Sequence, residues 1–177
     1  GNASAQNNLA IMFASGDGVG RNDKEAVRLY ALAAEQGVVS AQYNLGGMLA
    51  QGRGCPGGKR DEPGALLRWL AAAAAGHVAS HYNCGVCFEK GRGVLAPDPL
   101  RAVAHYTFAA ELGHTDAAFN NLSSTVKPSI PTTPLTEIVE RGRGDSSTCP
   151  DTVVALPEAS SINTNAQYES PNRKLHS

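Results

Sequence analysis

Three sets of residues in this chain have types and spacings that could do chemistry. Cys84-Gly85-Val86-Cys87 is a Cys-x-x-Cys pair, the spacing of redox dithiols and of half a zinc site. Gly16-Asp17-Gly18-Val19-Gly20 has the glycine density of a loop that wraps phosphate. Asn8, Asn44, Asn83 and Asn120 form a column of carboxamides, each offering donor and acceptor together, able to bond the backbone of an extended peptide. The first two fail on their neighbours. Zinc needs two more ligands, and His77 and His81 stand at no recognised spacing; the glycine loop has no strand before it and no Lys-Ser or Lys-Thr after it. The five histidines are scattered, with His77 and His81 expected at the surface near a helix start. No Ser/His/Asp set and no paired carboxylates share a frame, so no catalytic residue, cofactor or metal is expected.

The asparagines are positioned by a repeat. With Gly1, Gly37, Gly76 and Gly113 superposed, the following text reads Gly-Asn-Ala-Ser-Ala-Gln-Asn-Asn-Leu, Gly-Val-Val-Ser-Ala-Gln-Tyr-Asn-Leu, Gly-His-Val-Ala-Ser-His-Tyr-Asn-Cys and Gly-His-Thr-Asp-Ala-Ala-Phe-Asn-Asn-Leu. The spacings are 36, 39 and 37 residues. Such a period marks a solenoid, in which no unit buries its apolar face alone and stacked neighbours supply a continuous core.

Within the first unit, Ala5, Leu9, Met12 and Phe13 recur at helical spacing, and Gly16 to Gly20 ends that helix. Asn22 then caps a second helix, with Glu25 completing a capping-box pattern. Ala26, Tyr30, Ala33 and Ala34 make its apolar stripe, and Gly37 stops it. The second unit repeats the plan with Ala41, Leu45, Met48 and Leu49, the cap Asp61, and Ala65, Trp69, Ala72 and Ala73; three extra residues fall in the turn near Cys55 to Lys59. The third repeats it with Ser80, Cys84, Cys87 and Phe88, the cap Asp98 before Pro99, and Ala102, Tyr106, Ala109 and Ala110. The expected core therefore includes Leu9, Leu45, Tyr30, Trp69, Tyr106, Ala33, Ala72 and Ala109. Cys84 and Cys87 stand where leucine and methionine stand in the other units, which predicts buried hydrophobes.

The predicted fold is all-α: a solenoid of three full units, 1–36, 37–75 and 76–112, with a partial fourth, 113–122. From residue 123 to 177 the composition turns to Ser, Thr and Pro, six of the ten prolines lie between Pro128 and Pro171, and disorder is expected. Residues 1–122 carry 10 basic and 10 acidic side chains, which argues against a nucleic-acid or anionic-membrane surface as main partner. No run reaches the roughly 18 to 20 apolar residues of a membrane span. The chain starts inside a repeat and without Met, so it reads as a piece of something longer. Nothing assigns a compartment, and a cytoplasmic setting is a bare expectation.

These motifs resemble the Sel-1-like repeat, a relative of the tetratricopeptide repeat with a glycine-bearing turn inside each helix pair. The resemblance rests on Ala41-Gln42-Tyr43-Asn44-Leu45-Gly46, on Gly16-Asp17-Gly18-Val19 and Gly91-Arg92-Gly93-Val94, and on Ala33-Ala34-Glu35-Gln36-Gly37, and it covers residues 1 to 122. It implies a right-handed superhelix acting as a non-catalytic scaffold or adaptor for other proteins. The alternative is the regulatory or targeting arm of a larger enzyme. The expected partner-binding residues are Asn8, Asn44, Asn83 and Asn120 on the first-helix face, flanked by Gln6, Gln42, His81, Tyr43, Tyr82 and Phe119. A second reading of the asparagine column, that each one ties down a neighbouring turn or unit, stands beside the first.

Overall fold

The computed structural model describes residues 1–123. The Ser/Thr/Pro-rich segment, with Arg143-Gly144-Asp145, Thr133-Pro134, Ser170-Pro171 and Cys149, lies outside the described residues. Seven α-helices run in order among the described residues: α1 Ala3–Ser15, α2 Asp23–Glu35, α3 Val39–Gln51, α4 Glu62–Ala74, α5 Val78–Lys90, α6 Pro99–Glu111 and α7 Thr115–Ser123. Each packs on its neighbours in the chain, most extensively within the pairs α1/α2, α3/α4 and α5/α6. The three-residue insertion of the second unit makes a short 3₁₀ turn, Pro56–Gly58, beside the buried Cys55.

The helix starts follow the sequence closely. Asn22, Asp61 and Asp98 accept the backbone N–H of Glu25, Gly64 and Arg101 at 3.1, 2.9 and 3.1 Å. The reciprocal half of the capping box at Glu25 does not form. Its carboxylate holds Arg28 instead, and the Asn22 N–H donates to the Phe13 carbonyl at 2.9 Å. Asp61 and Asp98 make the same backbone bond, to Leu49 and Phe88 at 3.0 and 2.8 Å. The end of each first helix thus satisfies the donor that a box glutamate would serve, and closes the hairpin.

The close approach inside each hairpin is set by a missing side chain. Trp69 lies on Gly46, where an added Cβ would come within 2.6 Å of its Nε1; Tyr106 lies on Gly85, where a Cβ would come within 2.5 Å of its Cε1. In the first unit the same place is held by the fully buried Ala10. Between units, Ala33, Ala72 and Ala109 are fully buried, and Leu45 and Cys84 are inserted with no exposure. Tyr30, Trp69 and Tyr106 are buried as well.

Leu9 departs from the expected core. It is 39% exposed, Met12 is 38% exposed, and Ala5 is exposed too. Their counterparts Ala41, Leu45 and Met48 are covered because α3 packs on α2 before it as well as on α4 after it. Among the described residues α1 has a helix on one side only. It therefore buries the neighbouring stripe, with Asn7 and Ala10 buried and Phe13 and Ala14 partly so.

Gly46→Ala is expected to destabilise the fold by about 1–3 kcal/mol through overpacking, outweighing alanine's helix preference of about 0.5–1 kcal/mol. Gly47, on the same helix, has nothing within 4 Å of an added Cβ. Gly47→Ala is expected to stabilise by about 0.5–1 kcal/mol. Denaturant midpoints of the two variants check both signs.

Candidate partner-binding groove

The packing that seats Trp69 also leaves a hollow beside it. Its indole Nε1–H donates to the Tyr43 carbonyl at 3.2 Å, which fixes the ring against α3. Around it a cavity of about 440 Å³ opens across the first-helix face, lined by Tyr30, Tyr43, Asn44, Arg53, Trp69 and Asn83 among others. A smaller hollow of about 120 Å³ shares Ala50, Trp69 and Asn83 with the first and continues it past Glu62 and Arg92. Gly47 lines the larger cavity, and the space above it is open.

Arg53 is a fixed wall of this groove. Its Nη2 donates to Asp23 Oδ1 at 2.6 Å and to the Ala14 carbonyl at 2.7 Å, and its Nε donates to Asp23 Oδ2 at 3.2 Å. The turn of the second unit is thereby tied to both helices of the first. Arg21 bonds the same carboxylate from the other side, at 2.9 and 3.2 Å. Hydrogen bonds from Arg21 and Arg53 hold the Asp23 carboxyl down at about 2.

The asparagine column divides. Asn44 and Asn83, one unit apart on α3 and α5, are half-buried and both line the groove. No hydrogen bond to either carboxamide occurs among the described residues. Asn8 is exposed on α1, outside this hollow. The Asn120 Nδ2–H reaches the Tyr82 hydroxyl at a long 3.5 Å.

Gln42 and His81, expected beside the groove, turn away from it. Gln42 Nε2 donates to the Ala34 carbonyl at 3.4 Å and His81 Nε2 to the Ala73 carbonyl at 3.1 Å, each reaching back to the end of the preceding second helix. Both carbonyls also accept a turn N–H, from Gly37 at 3.0 Å and Gly76 at 2.7 Å, so each side chain adds a further bond that ties one unit to the next. Gln6 serves a related role, accepting from Gln36 at 2.6 Å. Tyr82 is likewise a packing residue: its ring stacks on His114 with centroids 4.6 Å apart. Tyr43 packs on His77 at 4.7 Å but still lines the groove. The side chain of Phe119 lies outside the described set. His77 is half-buried and caps α5, its Nδ1 accepting from the Ser80 N–H at 3.3 Å. Asn2, in the sequon Asn2-Ala3-Ser4, caps α1 in the same way, accepting from the Ala5 N–H at 3.0 Å.

Trp69 and Tyr30 are groove residues that reasoning from sequence placed only in the core, and Arg53 and Gly47 are groove residues that it did not single out. A signal did exist for Arg53, since Gly52-Arg53-Gly54 and Gly91-Arg92-Gly93 repeat an arginine between two glycines. For the aromatic pair there was none, because one face of each ring is core and only an edge meets the hollow.

Cys84 and Cys87 are buried inside the stack. Burial pushes both thiols up, Cys87 to about 12, which disfavours the thiolate that a redox dithiol uses. Among the described residues no cluster of three or more His, Cys, Asp or Glu could hold a metal ion. The glycines of the first turn, Gly16 and Gly18, have φ of 81° and 71° and serve the chain reversal.

The Sel1 repeat family model matches residues 3–38, 39–77 and 78–114, units that begin at the first residues of α1, α3 and α5. The chain belongs to the Sel1 repeat family. A solved Sel1 repeat protein from Oxalobacter formigenes is similar at 38% identity and a TM-score of 0.61, over 69% of this chain and 89% of that one. A protective antigen present in uropathogenic Escherichia coli strains, displaying an SLR fold, is similar at 30% identity and a TM-score of 0.62, over 65% of this chain and 24% of that one. No curated protein matches the chain. Sel1 repeat proteins generally mediate protein–protein interaction and are typically non-catalytic scaffolds. No helix among the described residues is long and apolar enough to cross a membrane.

Two outcomes follow for this Sel1 repeat stack. In a Cys149→Ser chain at pH 8, Cys55, Cys84 and Cys87 should react with a thiol reagent at the rate of unfolding, far below that of a free thiol. The Asp23 pairing should be fully present above the ordinary aspartate value near 4 and lost as pH falls through about 2. Replacing Asp23 by Asn should flatten the acid limb of stability in that window, as read by chemical denaturation from pH 5 to pH 2.

Proposed function

We propose that this protein is a non-catalytic scaffold that holds an extended segment of a partner protein in the groove across α3 and α5. The observation that carries this reading is the pair Asn44 and Asn83. Both carboxamides face one hollow and have no partner of their own among the described residues, although asparagine is a poor residue for a helix interior. A carboxamide that has no internal bond and repeats at the spacing of the units suits a ligand whose own polar groups repeat, such as a polypeptide backbone. The half-buried Tyr43, with the edges of Tyr30 and Trp69, adds aromatic lining of the kind that carries affinity in protein interfaces.

The electrostatics narrow the ligand further. Arg53 is consumed by Asp23 and the Ala14 carbonyl, so the larger hollow offers hydrogen bonds and apolar surface in place of a net charge. A neutral, extended, partly apolar segment fits that lining better than a strongly acidic or basic one.

Two variants test the reading against a partner captured with residues 1–123. Asn44→Ala combined with Asn83→Ala should weaken capture at least ~10-fold while leaving the unfolding midpoint nearly unchanged, since no internal bond is lost. Gly47→Leu, which fills the open space over α3, should abolish capture with the helical content intact. Retained affinity in both variants would remove the groove from consideration. Unfolding of the double variant would mean that the asparagines are architecture.

A further inference from the structure

Four of the five histidines, His77, His81, His105 and His114, fall in or directly beside the third unit, and the first unit has none. Two of them meet. His81 Nδ1 and His105 Nδ1 are 3.0 Å apart, while His81 Nε2 lies 3.1 Å from the Ala73 carbonyl. The carbonyl can only accept, so His81 carries its proton on Nε2 and presents a lone pair at Nδ1. His105 must then donate its Nδ1–H across the pair. The arrangement is complete with one proton on each ring. A second proton on His81 places two N–H groups nose to nose. A second proton on His105 creates a cation stacked on Phe88, with the ring centroids 5.5 Å apart.

The surroundings offer that charge the Phe88 face alone, with a second cation close by. From α6, Arg101 faces His105, itself paired with Asp98 at 3.2 Å and lying over the Phe88 ring. Phe108 of α6 stacks on His81 at 4.1 Å, and α4 contributes the Ala73 carbonyl. Neither ring has an ion pair with a carboxylate among the described residues. Along α5, His77 caps the helix with a lone pair on Nδ1 and packs on Tyr43 of α3, so its protonation would also cost a bond.

We infer that the His81–His105 pair is an acid-sensitive joint: at neutral pH it pins α5 to α4 and α6, and protonation in the mildly acidic range loosens α5 and with it the third unit. The repeat itself supplies the comparison. In the second unit Gln42 makes the corresponding bond to Ala34 with a side chain that does not titrate, and in the first unit Leu29 holds the position of His105. Among the described residues, the third unit alone has a histidine in such a tie. The direction of the shifts agrees: burial lowers His81, and burial, His81 and Arg101 together lower His105 to about 4. Folded values below the unfolded value near 6.5 mean that this stability is complete above about pH 6.5. It is lost progressively as pH falls toward about 4. That window is separate from the one set by Asp23. Because α5 carries Asn83, loosening it would release a bound segment; this consequence alone rests on the groove reading above.

The test is thermal unfolding of the full chain at pH 7 and pH 5, beside His81→Gln/His105→Leu, whose residues are borrowed from the other units. The wild type should lose about 5 °C or more beyond the loss seen in the variant. Hydrogen exchange should show the added opening in α5 and α6 rather than in α2 and α3. Parallel losses in the two proteins would overturn the joint. Should the variant fail to fold, NMR titration of the wild-type rings decides: His105 staying neutral well below pH 6 supports the joint, and ordinary titration of both rings near 6.5 overturns it. None of these readouts involves a partner, so they stand or fall apart from the groove.

Discussion

Everything in this stack depends on how closely the two helices of a hairpin can approach. Trp69 and Tyr106 lie against Gly46 and Gly85 because those residues have no side chain, and in the first unit the small Ala10 holds that place. Packing at that distance lets a large ring fill the layer between helices without opening a void. It also fixes where the ring's far edge emerges, which is the wall of the groove. Core and site are therefore two faces of the same aromatic residues.

The second constraint runs between units. Fully buried alanines at positions 33, 72 and 109 let the second helices sit close to the next first helix, and Leu45 and Cys84 fill the space that remains. Polar ties fix the register: Gln42 and His81 to the carbonyls of Ala34 and Ala73, and Arg53 to Asp23 and Ala14. Each joins a side chain of one unit to groups at the helix ends of the unit before it. The units are alike in backbone and differ in these ties, so the individual character of a Sel1 unit resides in a few side chains at its joints.

Much of this was legible in the sequence, for a physical reason. Caps, glycine stops and alanine stripes are local signals repeated in phase, so Asn22, Asp61 and Asp98 and the stripes of α2, α4 and α6 could be placed directly. Leu9 was misplaced because periodicity shows which residues share a face and not whether a neighbour covers it; α1 has a helix on one side only among the described residues. Gln42 and His81 were misplaced because one position on a first helix can point to the groove or back along the stack. The choice is made by carbonyls eight residues upstream, which have no signature in composition. Asn44 and Asn83 were legible as a column, while their shared hollow was visible only once Trp69 and Gly47 had been placed around it.

On this reading no hairpin buries enough by itself to stay folded outside the stack. The direct measurement is far-UV circular dichroism, with hydrogen exchange, on the isolated second unit, residues 39–77, beside residues 1–123. The account predicts a largely unfolded, unprotected peptide that is fully helical and protected only within the stack. A stably folded, protected helical hairpin from residues 39–77 alone would contradict it.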